Sequence, residues 1–115
     1  YTAQGLMTVD DVSATVTACL TENPTLLVIW DLRQASFSGV TGEDLRKVVI
    51  AARPLAESRA GGKTAIVCSP GADFGLARIF QIYAEVYEAP IDIKVFDSMD
   101  GATSWLGVDP NRLPD

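Results

Sequence analysis

The hydrophobic period of this chain switches repeatedly between two values, and that alternation constrains its fold more than any single residue does. From Thr8 onward, Val9, Val12, Val16, Cys19 and Leu20 fall on one face of a 3.6-residue period. Thr25-Leu26-Leu27-Val28-Ile29-Trp30 then forms a nearly continuous apolar run, the pattern of a strand covered on both faces. Leu45, Val48, Val49, Ala52, Leu55 and Ala56 make a second helical stripe, and Thr64 to Cys68 a second buried strand. A third helix is expected from Asp73 to about Glu88. Ile91, Ile93 and Val95 alternate with Asp92 and Lys94, as in a more exposed strand at or near an edge. Met99, Ala102, Trp105 and Leu106 mark a short last helix, and residues 1–7 add a weak strand at the start.

The order is therefore β-α-β-α-β-α-β-α. It predicts an α/β fold with right-handed crossovers onto a mixed, mainly parallel sheet of four or five strands flanked by about four helices. A chain of 115 residues, 48% apolar, suffices for one domain with its own core. That domain is expected over residues 1–108, with Pro110 and Pro114 marking a tail over 109–115.

Local punctuation agrees with this division. Thr8 with Asp11, and Thr41 with Asp44, have capping-box spacing, with Asp in place of the usual Glu. Asn23-Pro24 stops the first helix, and Pro54 is expected to kink the second or end its first segment. Gly61-Gly62 closes that element, Asp73 and Ser98 are expected to cap the third and last helices, and Gly107 ends the last.

Charge and residue usage narrow the function. The formal charge is -6, and Arg46-Lys47 is the only adjacent basic pair, so nucleic acid and anionic membrane surfaces lack an electrostatic footprint. No apolar run approaches the roughly 18 residues that a membrane span needs. No leader pattern is present; the numbering starts at Tyr1 without Met, which leaves room for a leader or tag removed ahead of it. Cys19 and Cys68 are too few for a disulfide framework, and a reduced, cytoplasmic protein is expected.

Histidine is absent altogether. Without it there is no Ser-His or Cys-His nucleophile pair and no imidazole metal ligand, and two separated cysteines cannot build a structural zinc site. Gly62-Lys63-Thr64 has the ending of a phosphate-binding loop, but Glu57 stands where the first glycine belongs, and the segment leads into a strand. No dinucleotide fingerprint occurs. The expectation is a non-enzymatic protein without cofactor or metal.

Three features remain as candidate sites. The loop from Asp31 to Gly42 lies at the carboxyl end of a buried strand, where ligands of open α/β sheets bind; Ser36, Ser38, Gly39 and Thr41 are its candidate contacts, with Ser69 from the next such loop. The same residues also serve an ordinary, well-capped connection. Asp31, with Ser69 and Lys94, invites comparison with a phosphorelay receiver, but residues 1–8 supply no acidic pair for Mg²⁺ and Lys94 is mid-strand. Cys68 sits before a helix start, where a thiol can be activated, yet it has Asp73 rather than a base nearby, so a buried inert thiol fits better.

The third feature is the third helix. Arg78, Gln81, Glu85 and Glu88 form a narrow polar stripe, and the surplus apolar surface, with Phe80, Tyr83 and Tyr87, needs a cover. Neighbouring helices, a second protomer, another protein or an apolar ligand would each provide it.

Taken together these segments resemble the SpoIIAA-like branch of the STAS domains. Gly5-Leu6-Met7-Thr8-Val9-Asp10-Asp11 resembles that family's opening, and Phe74-Gly75-Leu76-Ala77-Arg78 and Ala102-Thr103-Ser104-Trp105-Leu106 also fit its pattern, over about Tyr1 to Gly107. The resemblance implies a regulatory protein-interaction module, with a protein partner or a homodimer. It also implies a further strand ahead of Tyr1, paired with the first as a hairpin. Family members carry a phosphorylatable serine at the start of the second helix; here Gly39-Val40-Thr41-Gly42 falls on that motif and Val40 takes the acceptor position, so the usual phosphoserine switch is not expected. The branch is also similar to lipid-binding folds of the CRAL-TRIO type, which makes a small apolar ligand the alternative.

Overall fold

The computed structural model describes residues 1–22 and 24–108. Asn23 and the expected tail over 109–115 lie outside the described residues. Strand β1 spans Thr2–Leu6, followed by α1 over Val9–Thr21, β2 over Leu27–Ser36 and α2 over Gly42–Ala52. A 3-10 segment at Arg53–Arg59 leads to β3 over Lys63–Val67, α3 over Ala72–Val86, β4 over Asp92–Phe96 and α4 over Met99–Leu106. No helix among the described residues is long and apolar enough to cross a membrane.

Among the described residues the sheet has four strands in the order β1-β2-β3-β4, and every pairing is parallel. No antiparallel pairing occurs among the described residues; the hairpin strand that the resemblance implies would precede Tyr1, outside them. When each parallel strand is added beside the last by a right-handed crossover, the connections stay on one face. Accordingly α1, α2 and α3 bury Val16, Val48 and Phe80 in one core with Val28, Trp30, Ile66 and Val95 of the sheet. Helix α4 packs on the opposite face, where Ala102 and Leu106 meet Ala65 and Val67. Phe96 and Trp105 stack there with centroids 5.7 Å apart, and the Lys63 ammonium lies 5.1 Å above the Trp105 ring.

Both capping boxes form. The Thr8 hydroxyl accepts the Asp11 N–H while the Asp11 carboxylate accepts that of Thr8, and Thr41 and Asp44 repeat the arrangement. Each box satisfies two N–H groups that the helix itself leaves unpaired. Ser98 caps α4, which ends at Gly107 in the left-handed conformation at φ 76°. Asp73 does not cap α3: the N-cap is Gly71, without a side-chain cap.

The chain departs from the expected pattern in two places. Strand β2 does not stop at Asp31; it continues to Ser36, paired with β1. Between Thr2–Gln4 on β1 and Asp31–Gln34 on β2 the register shifts, with one extra residue on β2. Such a bulge reverses which face the following side chains point to. Val28, Trp30 and Leu32 face the helices before it, and Ala35 and Phe37 after it.

The second departure follows α2. Pro54 ends the α-helix at Ala52, and the tighter 3-10 winding changes the period. Leu55, expected inside, is exposed, while Arg59 is 2% exposed in its place. Its guanidinium donates to the carbonyls of Thr25, Leu26 and Lys63 and to the Thr64 hydroxyl, pinning the entry of β2 to β3. Gly62 permits the close approach this requires: a Cβ there would sit 2.6 Å from the Leu26 carbonyl oxygen.

Candidate functional site

The carboxyl ends of β1, β2 and β3 open toward α1, α2 and the start of α3, and the helices do not fill the space between them. An apolar cavity of about 190 Å³ remains. Its floor is Trp30, Leu32 and Ile66 of the sheet. Val12 of α1, Leu45 of α2 and Leu76, Ala77 and Phe80 of α3 close it from above, with Phe37 and Val40 of the β2–α2 connection at one end. The exposed Tyr1, with Thr2 and Ala3, lines it beside β1. This is the edge of a parallel sheet at which ligands of open α/β folds bind.

The bulge in β2 lies beside this space: Leu32 faces the helix side ahead of it and Phe37 after it. Phe37 and Val40 are buried, while Ser38 and Gly39 between them are exposed. Trp30 and Phe80 form a tilted aromatic pair at the back of the cavity, with centroids 6.2 Å apart. The Trp30 indole N–H is buried and has no acceptor among the described residues.

Polar groups on the lining are few. Among the described residues Asp73 is the one charged side chain on it, and its Oδ1 accepts the backbone N–H of Phe37 at 3.2 Å. Cys68 is 1% exposed, and burial, followed by the negative charges of Asp73 and Asp31, pushes its thiol up to about 11. The sulfur is therefore a neutral, apolar part of the wall at neutral pH. Outside the cavity the Arg33 guanidinium grips both carboxylate oxygens of Asp31, at 2.9 and 2.8 Å, and holds that carboxyl below its usual range. Asp31 is thus engaged in a surface ion pair.

The residues singled out in the sequence separate into three places. Ser36 ends β2, with its carbonyl accepting the Met7 N–H at 2.8 Å, and its side chain is exposed with those of Ser38 and Ser69. The Thr41 hydroxyl is occupied by the capping box. Val40, at the position that the resemblance assigns to a phosphoacceptor, is 5% exposed and part of the cavity wall. Phe80 is core and cavity wall at once, so it lies inside the domain rather than on the outer side of α3. Tyr83 and Tyr87 are half-buried, stacked 6.5 Å apart, and the Tyr87 hydroxyl accepts from Arg46 at 3.3 Å.

The apolar surface that α3 leaves to solvent is Ile79, Ile82 and Val86 instead, exposed by 36, 49 and 64%. Their i, i+3, i+7 spacing was available in the sequence, where the aromatic residues drew the attention. An apolar pocket between the third helix and the sheet is what the apolar-ligand alternative implies, but its lining by Leu32, Phe37, Leu45 and Ala77 as a group has no signature in the chain. No family model, no curated protein and no solved structure matches this chain.

Proposed function

We propose that this chain is a non-enzymatic, cytoplasmic binding module of the SpoIIAA-like (STAS-like) kind, and that it works by holding a small apolar molecule at the carboxyl edge of its sheet. The observation that carries this is the cavity of about 190 Å³ with its almost wholly apolar lining. An engineered apolar cavity of about 150 Å³ stays dry and takes up benzene, so a space of this size suits one or two fused rings or a short branched chain. A phosphoserine switch at the family's usual position has little to draw on, since Val40 stands there and is buried and Thr41 caps α2. Native mass spectrometry of protein purified without denaturation tests the proposal. A co-purifying small molecule, displaced by added indole, supports it; protein that stays free of ligand and gives no amide shifts with millimolar indole refutes it.

The outer face of α3 supports a second function, a protein-interaction or regulatory module acting through a partner protein or a homodimer. Ile79, Ile82 and Val86 form an exposed apolar stripe there. Sedimentation of the native protein and of Ile82→Glu separates the two functions. Association lost in the variant favours the interface, and a monomer in both favours the cavity.

A further inference from the structure

The charge around the cavity narrows what it takes. Among the described residues no Lys or Arg lines it, so a carboxylate or phosphate head group would be buried without a counter-charge from them. Asp73 has the opposite effect. Its carboxylate stands on the wall and is half-buried, and it has no cationic partner among the described residues, whose ion pairs are Arg33–Asp31, Arg46–Glu43 and Arg53–Glu57. One oxygen is held by the Phe37 N–H, which fixes the carboxylate and leaves the other oxygen free to accept.

Resting on the cavity as a ligand site, we propose that its ligand class is the apolar amine: a ring or short hydrocarbon body against Trp30 and Phe80, with a terminal ammonium paired to Asp73. The aromatic pair presents ring surface to the body, and the fixed carboxylate supplies a charge-assisted hydrogen bond to the head. The net charge of -6 favours approach of a cation over that of an anion.

Three probes of one shape test this on the intact chain: 2-phenylethylamine, 2-phenylethanol and phenylacetate, titrated by amide NMR or calorimetry. The amine is expected to bind about tenfold more tightly than the alcohol, the scale of one charge-assisted contact, and phenylacetate most weakly. In Asp73→Asn the amide oxygen can still accept from Phe37, so the fold is kept. There the amine is expected to fall to the level of the alcohol while the alcohol is unchanged. Equal binding of amine and alcohol in the native protein, or an amine preference that survives Asp73→Asn, overturns the amine assignment and leaves the cavity as a neutral-ligand site. Failure of all three probes, the alcohol included, overturns the cavity as a ligand site and the amine assignment with it.

Discussion

The carboxylate of Asp73, on the first turn of α3, accepts the backbone N–H of Phe37 at 3.2 Å, 36 residues away in the chain. This bond ties the connection after β2 to the helix after β3 and so holds one end of the cavity. Phe37 is itself buried, and its N–H would lose its acceptor if the carboxylate were removed. Asp73→Ala is expected to cost about 1–2 kcal/mol and to speed hydrogen exchange at Phe37 more than elsewhere in the sheet. Unchanged exchange at that amide would show that the bond does not hold the loop.

Arg59 is the most committed polar side chain in the protein. It is buried and bonded to three carbonyls and one hydroxyl, with no carboxylate among those partners. Arg59→Met would remove the donor from those acceptors, leaving the Leu26 carbonyl its bond from the Lys63 N–H, and is expected to cost about 3 kcal/mol or more in urea unfolding. Arg59→Lys should recover only part of it, because an ammonium cannot reproduce the planar fork. A loss below about 1 kcal/mol in the Met variant would contradict the assignment.

Cys68 gives a pH signature. Its folded pKa, about 11, lies above the roughly 8.5 of an unfolded thiol. A raised pKa means that the neutral form is favoured by folding. The corresponding stability is fully present below about pH 8.5 and is lost as the pH rises toward about 11. In a Cys19→Ala background, alkylation by iodoacetamide at pH 8 should be much slower in native than in urea-unfolded protein. Native reactivity equal to or above the unfolded rate would make Cys68 an activated thiol.

Helix α3 offers a contrast between neighbours. Phe80 is core, so Phe80→Ala is expected to cost about 3–5 kcal/mol, whereas Ile82→Glu on the exposed stripe should stay within about 0.5 kcal/mol of the parent in thermal unfolding. Comparable losses in both would mean that the stripe is already covered by another chain in solution.

Much of the fold was legible because its signals are local. The capping boxes at Thr8–Asp11 and Thr41–Asp44, the stop at Pro54 and the buried runs at Val28–Trp30 and Thr64–Cys68 each rest on neighbours in sequence. The second half of β2 was not legible. Asp31, Arg33, Gln34 and Ser36 have a loop's composition, and only pairing with β1 around a bulge makes them strand. Leu55, expected inside, is exposed and Arg59 is buried, because the winding tightens after Pro54, which shifts the helical period. Asp73 had cap spacing but found a long-range acceptor role instead. The cavity was the least legible feature, since it depends on how far apart the bulge, the β2–α2 connection and α3 come to rest.

Filling that cavity tests the central claim most directly. Ala77 lies on α3 with its side chain on the cavity wall, so Ala77→Leu would project three more carbons into the space while leaving Asp73 in place. The binding of indole should be measured by calorimetry on the native protein and on Ala77→Leu, with thermal unfolding of both. A ligand site at this cavity predicts a variant that still folds cooperatively and binds indole at least ~10-fold more weakly. Indole binding that is unchanged in a folded Ala77→Leu, or absent from the native protein, would contradict it.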